Sequence, residues 1–286
     1  GRVSLDRPPD SAPAAPAMNV VYWPNIALAK PELLAALGAV DGVRLRVVAS
    51  VDELVAQLPD TDGVVMANPS EPQAIAIAAA MRAPNRVRWV HLVSAGMDGI
   101  VHCGLPAHVV VTHTPGATAN AVGDHALALL LALMRRLHVA LELQRAGRWS
   151  QREAVRGVTS IEGATVVVLG HGGIGRYLCR VLDACGARLR VVSRRLPEGA
   201  GPAGAFTFEH LGEALDGADA LIVAVPLSEL TAGLVDEAAL RRMRAGALVV
   251  NVGRGPVIER EGLLRCLADG QLGGAGLDVT DPEPLP

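Results

Sequence analysis

Two stretches of this 286-residue chain carry residue types whose spacing can do chemistry. Gly170-His171-Gly172-Gly173-Ile174-Gly175 is a G-x-G-x-x-G loop that directly follows an aliphatic run and opens a helical pattern. In that setting the first glycine permits a tight turn, the second lets backbone amides approach a pyrophosphate, and the third lets the helix pack on the strand. The helix N-terminus adds the positive end of its dipole. Without the strand and the helix around it, the loop would read as an ordinary glycine-rich turn. The second stretch, Asn251-Val252-Gly253-Arg254-Gly255, lies past another aliphatic run, at the strand ends where open α/β sheets bind ligands. Reducing a 2-oxo acid requires a cation to hold the carboxylate and polarise the carbonyl, and an acid to protonate the oxygen as hydride arrives. Arg254 is placed to be that cation; alone, it would read as a surface arginine.

The strand after the glycine loop ends in Ser193-Arg194-Arg195. An Asp or Glu there would receive the ribose 2′-hydroxyl of NAD, and none is present. One hydroxyl and two guanidinium groups suit a 2′-phosphate by charge and by planar hydrogen bonding, which favours NADP over NAD. The competing reading is that the arginines are a solvated strand exit.

The elements that must hold these residues can be read from periodicity. Residues 19–23, 44–49, 63–67, 87–93 and 108–112 read as strands, and 31–38, 52–58 and 71–82 as crossover helices between them. A second series of strands falls at 165–169, 187–193, 220–225, 247–251 and 273–277. Its runs are apolar on both faces, as suits strands buried between two helix layers. The class expected is α/β, with two doubly wound parallel-sheet domains, a flavodoxin-like substrate domain over 18–115 and a Rossmann coenzyme domain over 116–286. A helix over 120–137 joins them, so poor in polar residues that other protein must cover it, at a domain or subunit contact. Residues 1–17, rich in Pro and Ala, read as a disordered leader, and Met18 stands where a natural start would fit.

Composition bounds the partners. With 26 basic and 29 acidic residues the net charge is −3, too little positive field for nucleic acid or an anionic membrane. The longest apolar run that reads as helix, 126–134, is far short of the roughly 20 residues that cross a bilayer. The four cysteines form no C-x-x-C pair and read as reduced thiols of a cytoplasmic protein. Lys30 is the only lysine, which excludes G-K-[ST] phosphate loops, Schiff-base catalysis and PLP attachment. No metal site is expected.

From about residue 87 onward the chain resembles the D-isomer-specific 2-hydroxyacid dehydrogenase family, especially its glyoxylate/hydroxypyruvate reductases. The residues carrying the likeness are Ser94-Ala95-Gly96-Met97-Asp98, Val122-Gly123-Asp124-His125, the Gly170 loop, the Arg254 stretch, and Gly276-Leu277-Asp278-Val279 leading to Pro282-Glu283-Pro284. The resemblance implies that backbone amides at Ala95 and Gly96 grip the substrate carboxylate, that Arg254 binds carboxylate and carbonyl, and that Glu283 orients the catalytic histidine. It implies that Val225, Pro226, Thr231, Val252 and Gly253 lie along the cofactor, and that Asp278 holds the nicotinamide carboxamide. A homodimer paired through its coenzyme domains is also implied. Glu283 alone would read as a solvent-facing acid in a Pro-rich loop.

The family places its catalytic histidine in a Pro-His motif beyond that glutamate, and none of the eight histidines here stands in such a context. His171 falls in the phosphate loop, His91 in a strand, and His125 and His138 on the joining helix; none is promoted to the role. The polypeptide is therefore expected to be truncated after Pro286. Asp124 stands where the family usually has Glu. Phosphoglycerate, hydroxyphenylpyruvate, phosphite and formate remain open as substrates. A cofactor-sensing, corepressor-like interaction protein remains the reading from another class, and a Rossmann-like methyltransferase is a more distant one.

Overall fold

Short aliphatic strands alternating with amphipathic helices set the architecture. The computed structural model describes residues 17–25, 30–94, 96–114, 116–195 and 204–285. Contacts divide the chain into Gly1–Thr114 and Pro115–Pro286. The expected leader, apart from Ala17, and Ala95 lie outside the described residues.

The first unit runs β1 (Met18–Trp23), α1 (Lys30–Gly38), β2 (Val43–Val47), α2 (Val51–Gln57), β3 (Gly63–Met66), α3 (Glu71–Arg82), β4 (Trp89–Leu92), α4 (Asp98–Cys103) and β5 (Val110–His113). All pairings are parallel, in the order β2-β1-β3-β4-β5, the flavodoxin-like arrangement. Helix starts carry their own signals. Ser50 accepts the Glu53 N–H at the head of α2, and Ser70 with Gln73 forms a capping box on α3. Val21, Val64, Met66, Val90 and Leu92 bury against Leu54, Ile77 and Met81.

The second unit begins with α5 (Ala119–Met134), α6 (Leu137–Arg145) and α7 (Gln151–Val155). There follow β6 (Thr165–Leu169), α8 (Gly173–Ala184), β7 (Arg188–Ser193), β8 (Ala205–Thr207), α9 (Leu211–Leu215) and β9 (Ala220–Val223). The unit closes with α10 (Glu237–Arg241), β10 (Ala247–Asn251), α11 (Arg260–Ala268) and β11 (Leu272–Leu277). The sheet order is β11-β10-β9-β6-β7-β8, all parallel, which is the Rossmann order with its reversal between β6 and β9. Alternate residues of each central strand feed opposite faces: Val167 and Leu169 enter one apolar cluster, Val166 and Val168 the other. This explains why those runs are apolar throughout.

Three expectations need correction. The single joining helix over 120–137 is two helices, because the Met134 carbonyl accepts the Thr159 N–H and Arg136 turns left-handed at φ 53°. The apolar face of α5 is covered by its own unit: Ala126, Leu130 and Met134 are buried with Val166, Val168 and Val250. A further strand beyond β7, Ala205–Thr207, was not expected; its Gly- and Pro-rich approach hides a three-residue run. The four cysteines are free thiols, and burial, with Asp183 nearby, pushes Cys179 up to about 11. Among the described residues no helix is long and apolar enough to cross a membrane.

Leu130 is fully buried between α5 and the sheet. Leu130→Ala is expected to cost about 3 kcal/mol through lost burial and a residual cavity, read as a lowered midpoint in urea denaturation.

Candidate active site

The reversal between β6 and β9 opens a crevice at the carboxyl ends of the strands, and the glycine loop falls there. Gly170 has φ +113°, and a Cβ on it would lie 2.5 Å from the Ala224 carbonyl oxygen at the exit of β9. Only glycine satisfies both conditions. A Cβ on Gly175 would strike the Gly170 carbonyl, so α8 is seated as closely on the loop as backbone allows. Gly172, by contrast, has nothing within 4 Å of its Cβ position. Open space at the second glycine and contact at the first and third form the cradle that a pyrophosphate needs, with the N-terminus of α8 behind it. Ile174 turns inward and packs against the apolar cluster beneath.

The loop borders a cavity of about 390 Å³ lined by Gly170, His171 and Gly172, by Ser193, Arg194 and Arg195 from the exit of β7, and by Val225, Pro226 and Thr231 beyond β9. The Ser193 hydroxyl donates to the Arg195 carbonyl, which bends the strand exit, while both arginine side chains are exposed. Thr231 closes its own loop: its hydroxyl donates to the Pro226 carbonyl at 2.7 Å and accepts the Ser228 N–H at 2.8 Å. Burial, and then the charge of Arg176, hold the His171 imidazole below its ordinary range, which favours its neutral form. Eight of the residues singled out from sequence therefore meet here.

The exits of β10 and β11 carry the remaining residues of this unit. Asn251 is 1 % exposed and works as a clamp. Its Oδ1 accepts the Gly253 N–H and its Nδ2 donates to the Arg254 carbonyl, both at 3.0 Å, so the turn bearing Arg254 is tied to the strand. Gly253 lies against the Val225 carbonyl, where a Cβ would come within 2.5 Å, and Gly255 against the Thr280 carbonyl. Arg254 is half-buried, and its Nη1 donates to the Gly253 carbonyl at 2.7 Å. The Val252 side chain points into the core cluster, so only its backbone faces the strand exit. Asp278 leaves β11 with its N–H on the Asn251 carbonyl at 3.0 Å. Glu283 is exposed, with its carboxylate accepting the Thr280 N–H at 2.9 Å.

In the first unit, Gly96 sits between β4 and α4, where the Ser94 hydroxyl donates to its carbonyl at 2.9 Å and accepts the Asn68 N–H at 2.9 Å. Ala95, its expected companion, is outside the described residues.

Two contacts escaped the sequence reading. The Tyr177 hydroxyl donates to Asp124 across α8 and α5, and the bonded carboxylate pushes the phenol above its ordinary range. His125 Nε2 lies 3.3 Å from Asp278 Oδ1. The signal for the second was present: His125, Leu129 and Leu133 recur every fourth residue on a helix, facing residues 274 and 276 of a glycine-rich strand and residue 278 just past its end.

Residues 127–286 match the family described as D-isomer specific 2-hydroxyacid dehydrogenase, NAD binding domain. The chain belongs to the D-isomer specific 2-hydroxyacid dehydrogenase family. A glyoxylate reductase of Thermococcus gammatolerans is 34% identical over 254 residues, covering 85% of this chain and 70% of the relative. One from Thermococcus kodakarensis is 35% identical over 210 residues, covering 70% of this chain and 62% of the relative. The crystal structure of a glyoxylate reductase from Paecilomyes thermophila superposes with a TM-score of 0.75 at 26% identity, over 95% of this chain and 84% of that one. This chain thus spans between three fifths and about seven tenths of the two curated relatives' lengths.

Asn251→Ala would leave the Gly253 N–H and the Arg254 carbonyl without their buried partner. It is expected to cost about 1–3 kcal/mol in urea denaturation, with Asn251→Asp, which keeps the acceptor, falling between it and the parent. An unchanged midpoint in the alanine variant would show that the turn is held by something else.

Proposed function

We propose that this protein is an oxidoreductase that moves a hydride between NAD(P)H and a small 2-oxo or 2-hydroxy acid such as glyoxylate or hydroxypyruvate. The observation that carries the reading is that one sheet edge holds both a glycine cradle with an open second position and, beyond it, a clamped turn bearing a guanidinium. When bound, the dinucleotide supplies the hydride. The chain's own residues bind and orient. The Gly170 loop and the head of α8 receive the pyrophosphate, and Val225, Pro226 and Thr231 form the wall along the dinucleotide. Asp278 takes the carboxamide. Arg254, its turn fixed by Asn251, holds the acid's carboxylate and draws charge from its carbonyl oxygen. Glu283 orients the proton donor, a role assigned to no residue of 1–286.

Arg194 and Arg195 border the cavity with exposed guanidinium groups, and Ser193-Arg194-Arg195 occupies the strand exit where an Asp or Glu would receive a ribose 2′-hydroxyl, which supports a 2′-phosphate and hence NADP in preference to NAD. The protein is further proposed to be a cytoplasmic homodimer. The pairing is supported by Leu137, Leu141 and Trp149, the last 95 % exposed, which leave apolar surface on α6 and its following loop for a second copy to cover.

Steady-state oxidation of NADPH and NADH with glyoxylate and hydroxypyruvate, on the natural full-length polypeptide, tests the reading. Turnover with at least one acid is expected, and tight cofactor binding without turnover would instead support a nucleotide sensor. In the same assay Arg194→Glu is expected to lower the NADPH/NADH preference by about tenfold, the loss of one phosphate contact. An unchanged ratio would remove the phosphate clamp.

A further inference from the structure

The edge strand β11 and the helix α5 meet in a regular ladder. A Cβ on Gly274 would lie 3.1 Å from Leu133 Cδ2, and one on Gly276 3.1 Å from Leu129 Cβ, so the leucines rest almost directly on the strand backbone. Two residues along a strand advance about 6.6 Å and four along a helix about 6.0 Å, so antiparallel elements in such contact stay in step for several rungs. The next rung pairs residue 278 with residue 125. There His125 Nε2 stands 3.3 Å from Asp278 Oδ1, the two side chains about half exposed at 51% and 45%.

We propose that His125 is a positioning residue for the cofactor: delivered by the α5–β11 ladder, it holds the Asp278 carboxylate in the orientation that accepts the nicotinamide carboxamide. The inference rests on the function proposed above, in which Asp278 faces the nicotinamide end. With Oδ1 engaged by the imidazole, Oδ2 is the oxygen turned to a carboxamide N–H. A half-exposed Asp without this partner would spread over several rotamers and would lose that freedom on each binding event. Asp278 is anchored through its main chain to Asn251, so only the side-chain torsions need holding, and one polar contact from a helix suffices.

The dinucleotide's two ends separate this role from a structural one. ADP-ribose keeps the pyrophosphate and both riboses but lacks the nicotinamide, so it cannot reach Asp278. Dissociation constants of NADH and ADP-ribose, measured by calorimetry on the 286-residue chain, should differ in the parent. His125→Leu is expected to weaken NADH by about fivefold and leave ADP-ribose unchanged, and His125→Gln, which keeps an N–H donor at similar reach, to recover most of the loss. Equal weakening of both ligands, or full retention of NADH affinity in His125→Leu, overturns the role of His125 alone. A parent chain that binds ADP-ribose as tightly as NADH overturns the placement of Asp278 at the nicotinamide end, and the role of His125 with it.

Discussion

The seat of Gly175 against the Gly170 carbonyl is the contact on which the coenzyme domain's geometry depends. It brings the first turn of α8 onto the end of β6 with no side chain between them. The helix dipole then opens on the crevice at the sheet's reversal, where neighbouring connections leave in opposite directions. The close approach of Gly170 to the Ala224 carbonyl draws the exit of β9 to the same place, and Gly253 against the Val225 carbonyl draws in β10. Three strand exits thus converge through three glycines, each excluding a Cβ. A binding edge is assembled mainly by what those positions lack.

Charge is arranged around this edge by different means. Arg194 and Arg195 are exposed, so the field they set up is screened by solvent, modest and salt-dependent. Arg254 is half-buried, its turn fixed by a fully buried asparagine, so its guanidinium is directed by backbone geometry. The first arrangement suits recognition of a solvated phosphate. The second suits a small acid whose carbonyl must meet its partner in one orientation.

Much of this was legible in the chain because its cause is local. The bounds expected for β6, β10 and α3 coincide with those observed, since continuous aliphatic runs and a capping box are decided within a few residues. The glycine loop was legible for the same reason. What escaped depends on residues far apart. The break after Met134 carries no Gly or Pro; the carbonyl that would continue the helix is taken by Thr159, and Arg136 adopts a backbone usually left to glycine. Val252 and Ile174 stand inside recognisable motifs, yet their side chains serve the core, because a strand or helix turns only some of its residues toward a ligand. The helical spacing of His125 with Leu129 and Leu133 was visible, but the strand it faces was not known until β11 was seen to run beneath it.

The ladder between α5 and β11 also bears on how the domain comes into being. α5 is the first helix of its unit and β11 the last strand, and half of β11 is glycine, a composition that forms strands poorly by itself. On an emerging polypeptide, Leu129 and Leu133 leave the ribosome long before the backbone on which they finally rest. The helix therefore waits, with part of its oily surface uncovered, until β11 has been made, and that closure is a long-range event of the kind that folds slowly and invites chaperones.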